Sequence, residues 1–197
     1  MSLDALLARI DAKRDELIAL TQDLVRIPTV NPPGDAYEAC ARLLGERLAK
    51  RGFEVSYVRA QGAPGDSDTH PRMNVIARRE GSAAGPNVHF NSHIDVVEPG
   101  EGWTRDPFGA QVVDGRIYGR GTCDMKGFIA AAIAKAQDYA AKPLKGPLHY
   151  AFTYDEETGC LGAQALAEWL TAHDIKPALA IDRKSTRLNS SHVRTSR

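Results

Sequence analysis

The chain has 197 residues, of which 43% are apolar and 7% aromatic; that suffices for the core of one α/β domain or two small ones and excludes a disordered or fibrous chain. Lys and Arg number 25 against 25 Asp and Glu, so the net charge gives no support to nucleic-acid binding or to a polybasic membrane patch. No apolar run reaches the roughly 18 residues of a membrane helix, and Cys40, Cys123 and Cys160 are too scattered for a disulfide framework or a cysteine metal knuckle.

The N-terminus lacks the basic-then-apolar pattern of a secretory signal, which predicts a cytoplasmic protein whose three thiols are small buried hydrophobes. Leu3, Leu6, Leu7, Ile10, Leu17, Leu20, Leu24 and Ile27 recur at helical spacing up to Pro28 and predict one amphipathic helix over 3–27. After a rigid Asn31-Pro32-Pro33-Gly34 loop, Tyr37, Cys40, Ala41, Leu44 and Leu48 predict a second helix, with Gly52 as its left-handed C-cap. Strands are predicted over 53–58, 74–77 and 88–91, the first two separated by a surface loop over 60–71. A loop rich in Gly and Pro then leads to a hairpin over 111–118 that turns at Asp114-Gly115. Phe128, Ile129, Ala132, Ile133 and Ala136 predict a helix after Gly127, followed by a strand over 148–153, a helix over 162–172 and a short buried strand over 178–181. Alternating helices and strands, with a hairpin among them, predict an α/β fold: a three-layer α/β/α sandwich around a mixed sheet.

From Arg183 the composition changes abruptly, to five basic residues, four serines and no acid in fifteen positions. This stretch resembles translated adapter or vector read-through. It is therefore read apart from the body, 1–182, which without it is mildly acidic, and the natural chain is expected to continue differently beyond Asp182.

Ligands of open α/β sheets gather outside the carboxyl ends of strands. Three predicted strand ends or loops there carry groups able to hold a metal. His93 and Asp95 are two apart and can project to one side, so the carboxylate could hold the second ring nitrogen of the histidine; the alternative is two polar side chains simply exposed to water at a strand end. Asp124 sits on a glycine-hinged loop, Gly119 to Gly127, where it could equally cap the next helix. Asp155, Glu156 and Glu157 directly follow an apolar strand; adjacent acids are tolerated when solvated, near a helix N-terminus or beside a cation. Together the three clusters offer an imidazole and several carboxylates, the donor set of borderline and hard divalent ions.

His93-Ile94-Asp95, the run from Tyr118 to Gly127 and Tyr154-Asp155-Glu156-Glu157 resemble the M20 metallopeptidase and deacylase family, in its acetylornithine deacetylase and succinyl-diaminopimelate desuccinylase group, over residues 3–182. The resemblance implies an incomplete zinc-dependent exopeptidase fold holding two zinc ions, for which cobalt or manganese could substitute. His93 would bind one ion, Asp124 would bridge both, Glu157 would bind the second, and Asp95 would orient His93. Glu156 would be the general base, kept off the metal so that it can accept a proton from water. A cis peptide between Asp124 and Met125 is also implied.

The implied substrate is a small N-acyl amino acid, acetylornithine first, with succinyl-diaminopimelate or a dipeptide as alternatives, and the full-length parent is implied to be a homodimer. The family's lid or dimerisation domain would follow residue 182, as would a further acidic ligand and a late histidine. Arg183-Lys184-Ser185 stand where that acid is expected, Asp182 could partly replace it, and His192 is a weak stand-in for the histidine. The chain as it stands is accordingly expected to bind zinc weakly and to hydrolyse nothing. A binding domain that keeps the fold without catalysis, or a product too short to fold stably, are the readings from other classes.

Overall fold

The computed structural model describes residues 2–83, 85–141 and 143–182. The apolar periodicity over 3–27 becomes two helices, α1 (Leu3–Asp11) and α2 (Arg14–Val25), where one was expected. Lys13 leaves the helical conformation at φ −103° and ψ 5°. The break carries Arg9 and Lys13 to Asp138, at 2.7 and 3.6 Å. Packing explains the difference: α2 buries Leu20, Leu24 and Val25, whereas α1 buries no residue, so no core contact holds α1 in line with its neighbour.

α3 (Tyr37–Ala49) buries Tyr37, Cys40, Ala41, Leu44 and Leu48. Gly52 closes it at φ 76°, as the C-cap reading required. The sheet comprises β1 (Glu54–Arg59), β2 (Met73–Arg79), β3 (Val88–His93), β6 (Leu148–Thr153) and β7 (Leu179–Asp182), with β4 (Gln111–Val113) and β5 (Arg116–Tyr118) forming a separate hairpin. Asp114 and Gly115 turn that hairpin with φ of 50° and 72°. Strand order is β1-β2-β6-β3-β7. β2 runs antiparallel to β1 and β6, while β6, β3 and β7 run parallel, which makes the sheet mixed.

Alternation along the strands divides the core into two. On one face Val75, Ala77, Leu148, Tyr150 and Phe152 pack against α2, α3 and α4 (Gly127–Ala140). Tyr150 centres this layer, stacked on Phe90 at 5.0 Å and edge-on to Phe53 at 5.3 Å. On the other face Ile76 and Ala151 pack against Leu166 of α5 (Leu161–Ala172). The result is the three-layer α/β/α arrangement around a mixed sheet.

Two expectations are corrected. The strand expected to be buried over 178–181 is an exposed edge, with Leu179 53% exposed, because β7 pairs with β3 alone among the described residues. Cys40 is a buried hydrophobe as expected, but Cys123 and Cys160 are exposed; both stand in turns just before helices, α4 and α5. No helix among the described residues is long and apolar enough to cross a membrane. The stretch 183–197, including Arg183, Lys184, Ser185 and His192, lies outside the described residues.

Candidate metal centre

In the parallel register His93 stands opposite Thr153, and Asn91 opposite Asp182, so the C-terminal ends of β3, β6 and β7 share one edge of the sheet. The pairing continues past the strands, with the Ile94 N–H donating to the Thr153 carbonyl at 2.9 Å. Asp95 is fully buried there, and its Oδ2 accepts the Glu157 N–H at 2.9 Å. His93 Nδ1 lies 3.1 Å from the Asp95 carbonyl oxygen and 3.4 Å from its Oδ1. A proton on Nδ1 suits both oxygens and points Nε2 toward the sheet edge.

Asp124 reaches the same place on a wide turn, Thr122–Lys126, between the hairpin and α4. Gly121 opens this turn at φ 82°, and a Cβ there would stand 2.5 Å from Val96 Cγ1, so only glycine fits. The Asp124–Met125 peptide is cis, and both residues depart from helical geometry. Asp124 does not cap α4: the cap position is Lys126, without a side-chain cap bond. Asp124 Oδ1 instead lies 3.2 Å from His93 Nε2.

The three consecutive acids part company. Asp155, at φ 51°, turns inward and accepts from Tyr37 Oη at 2.6 Å and Arg72 Nε at 2.7 Å, all three side chains being buried. Glu156 and Glu157 face the sheet edge, with Glu156 Oε2 3.8 Å from His93 Nε2. Ligand atoms of His93, Glu156 and Glu157 all lie within 4.8 Å of one another. A cavity of about 120 Å³ beside them is lined by His93, Glu156, Cys160, Asn91, Thr153 and Asp182. Asp182 thus lines the same cavity as His93 and Glu156.

Burial opposes charge on His93, but the carboxylates of Asp124, Asp95 and Glu156 outweigh it and push the imidazole up to about 10. Burial likewise opposes ionisation of Asp95, yet His93 and the backbone N–H groups of Glu157 and Glu156 hold its carboxyl below the usual range. One imidazole among several carboxylates is the donor set that zinc, cobalt or manganese accepts, and a dication would relieve the repulsion among the acids. The residues present therefore fit a divalent metal.

Sequence reasoning missed the supports of this site. Arg72 and Tyr37, which draw Asp155 away from its neighbours, carry no local signal. Lys126 lies inside the run that drew attention to Asp124, and its ammonium is fully buried and donates to the Ile27 carbonyl at 2.7 Å.

Among known proteins, the chain is 38% identical over 160 residues to a succinyl-diaminopimelate desuccinylase of Cereibacter sphaeroides (strain ATCC 17029 / ATH 2.4.9), covering 79% of this chain and 39% of that protein. It is 36% identical over 177 residues to succinyl-diaminopimelate desuccinylase 2 of Ruegeria sp. (strain TM1040), covering 88% and 42%. The chain thus spans about two-fifths of the length of these relatives. In fold it is similar to human carnosine dipeptidase 1, with a TM-score of 0.74 at 21% identity over 93% of this chain and 41% of that one. It is also similar to an M20 family metallo-carboxypeptidase from Sulfolobus solfataricus, with a TM-score of 0.68 at 24% identity over 86% and 37%. The model of peptidase family M20/M25/M40 matches residues 89–193, a stretch that takes in the C-terminal ends of all three parallel strands and the wide turn at Thr122–Lys126. Because that stretch is more than half of the 197 residues, the chain belongs to peptidase family M20/M25/M40.

Proposed function

We propose that the chain carries the metal-binding half-site of an amide hydrolase acting on small N-acyl amino acids. His93, Asp124 and Glu157 would hold a divalent pair, zinc in the first instance, with Asp124 between the two ions and Asp95 positioning His93. The observation that carries this reading is the convergence of Asp124 and Glu156 on His93 Nε2, at 3.2 and 3.8 Å, from segments far apart in sequence.

When bound, such ions would polarise the scissile carbonyl and acidify water. Asp95 keeps the His93 ring oriented through Nδ1. Glu156 takes the proton of the attacking water onto its carboxylate and passes it to the nitrogen of the leaving amine, so that one group serves as base and then as acid.

The relatives bear on the acyl group. The segments 121–128 and 154–160 resemble acetylornithine deacetylase, but the desuccinylases match along most of the chain, and we place succinyl-diaminopimelate ahead of acetylornithine as substrate. In a zinc-loaded chain extended to the length of its relatives, hydrolysis of the succinylated substrate is expected to exceed that of acetylornithine and of dipeptides. A preference for acetylornithine would reverse that order. No turnover of any of the three would favour a binding domain.

Metal uptake is expected to release protons. With the His93 pKa raised from the ordinary 6.5 to about 10, the ion-free imidazole holds a proton at pH 7.5, and a metal needs Nε2 bare. Affinity should therefore rise with pH up to about 10. Calorimetry in buffers of different ionisation enthalpy should find about one proton released per ion taken up at His93; release of none would contradict the assignment.

A further inference from the structure

Residues 27–31, which lead from α2 through Asn31 into the Pro32-Pro33-Gly34 loop, take no part in the chemistry above, yet they bond to the stretches that carry His93 and Asp95, Asp124, and Glu156 and Glu157. The Ile27 carbonyl accepts from Lys126 Nζ at 2.7 Å, two residues beyond Asp124. Thr29 Oγ1 donates to the Ile94 carbonyl at 2.6 Å, between His93 and Asp95. The Val96 N–H donates to the Thr29 carbonyl and the Asn31 N–H to the Val96 carbonyl, both at 2.9 Å, so that Val30 and Val96 pair as a short parallel bridge. Asn31 Nδ2 donates to Thr158 Oγ1 at 2.7 Å, next to Glu157. Thr29, Asn31 and Lys126 are 0%, 3% and 0% exposed.

The placement has a physical reason. Asp124, Glu156 and Glu157 are like-charged groups, and the single charge of the protonated His93 offsets only part of their mutual repulsion until a dication takes the place of its proton. Bonds made among the acids cannot hold them ready for an ion. Bonds from a segment without charged side chains behind them can, because those made by Thr29, Asn31 and Val96 join neutral groups and in a buried setting resist distortion.

We propose that residues 27–31 are a positioning strap for the metal centre: Asn31 sets the Glu156–Glu157 turn through Thr158, while Thr29 and the bond from Lys126 to Ile27 set the His93–Asp95 and Asp124 segments. The inference rests on the reading that these residues hold a divalent ion. Outer groups of this kind, when removed, weaken metal binding by roughly 10- to 100-fold.

The test is a Co²⁺ titration of the full chain followed by visible absorption, with thermal midpoints measured alongside. Thr158 is exposed, so Thr158→Val removes the bond from Asn31 without endangering the fold, and Thr158→Ser keeps it. Thr158→Val and Asn31→Ala are each expected to raise the Co²⁺ dissociation constant by about 10-fold or more and to alter the absorption bands, while Thr158→Ser stays within about twofold of the parent. If the parent binds Co²⁺ and Thr158→Val binds it equally well with the same bands, the strap is only a structural feature and the proposal is overturned. If the parent takes up no Co²⁺, the reading of the site itself falls and the strap falls with it.

Discussion

Replacing Glu156 by glutamine is expected to lower amide hydrolysis by roughly 100- to 10,000-fold in a chain of the relatives' length, while divalent-ion content stays unchanged. Glutamine keeps the shape of the side chain but cannot accept the proton of the attacking water or return it to the leaving amine. The geometry makes this substitution informative, since Glu156 and Glu157 both bring ligand atoms close to His93. Loss of metal together with activity would make Glu156 a ligand and would shift the base to another group. Retained activity with metal bound would remove Glu156 from the mechanism. Turnover and metal content measured on the same preparation separate these outcomes.

The second large effect concerns stability. Asp155→Ala leaves the Arg72 guanidinium and the Tyr37 hydroxyl buried without the carboxylate that both contact, at 2.7 and 2.6 Å. Removing one partner of a buried ion pair costs about 3–5 kcal/mol, and urea unfolding should show a loss of that size. The Arg72 side chain is 5% exposed and that of Asp155 2%, so water cannot replace the lost partner. Arg72→Met combined with Asp155→Leu should cost clearly less than Asp155→Ala alone, because it removes both charges. A loss below about 1 kcal/mol for Asp155→Ala would mean that the pair is screened as surface pairs are.

Much of the architecture was legible because it is written in local periodicity. Apolar runs and turn residues located the strand Leu148–Thr153, the turn at Asp114 and Gly115 and the cap at Gly52, since a strand, a type of turn or a helix end depends on neighbours within a few residues. The resemblance carried by short motifs likewise picked out His93, Asp124 and Glu156, which the fold gathers around one nitrogen.

What the tertiary structure decided was the division of labour among adjacent residues. In the sequence Asp155, Glu156 and Glu157 form one acidic run. In the fold Asp155 is drawn inward by Arg72, 83 positions away, and only its two neighbours turn to the sheet edge. The helix break at Lys13 follows from packing, since α2 is held by buried Leu20, Leu24 and Val25 and α1 by no buried residue, and the exposure of β7 follows from its place at the edge of the sheet. Asn31 meets Thr158 across 127 positions, a contact made possible by the bridge between Val30 and Val96. A side chain's conformation is set by its nearest residues, but its partner is set by which strands and loops the buried sheet brings together, and that is a property of the whole packed core.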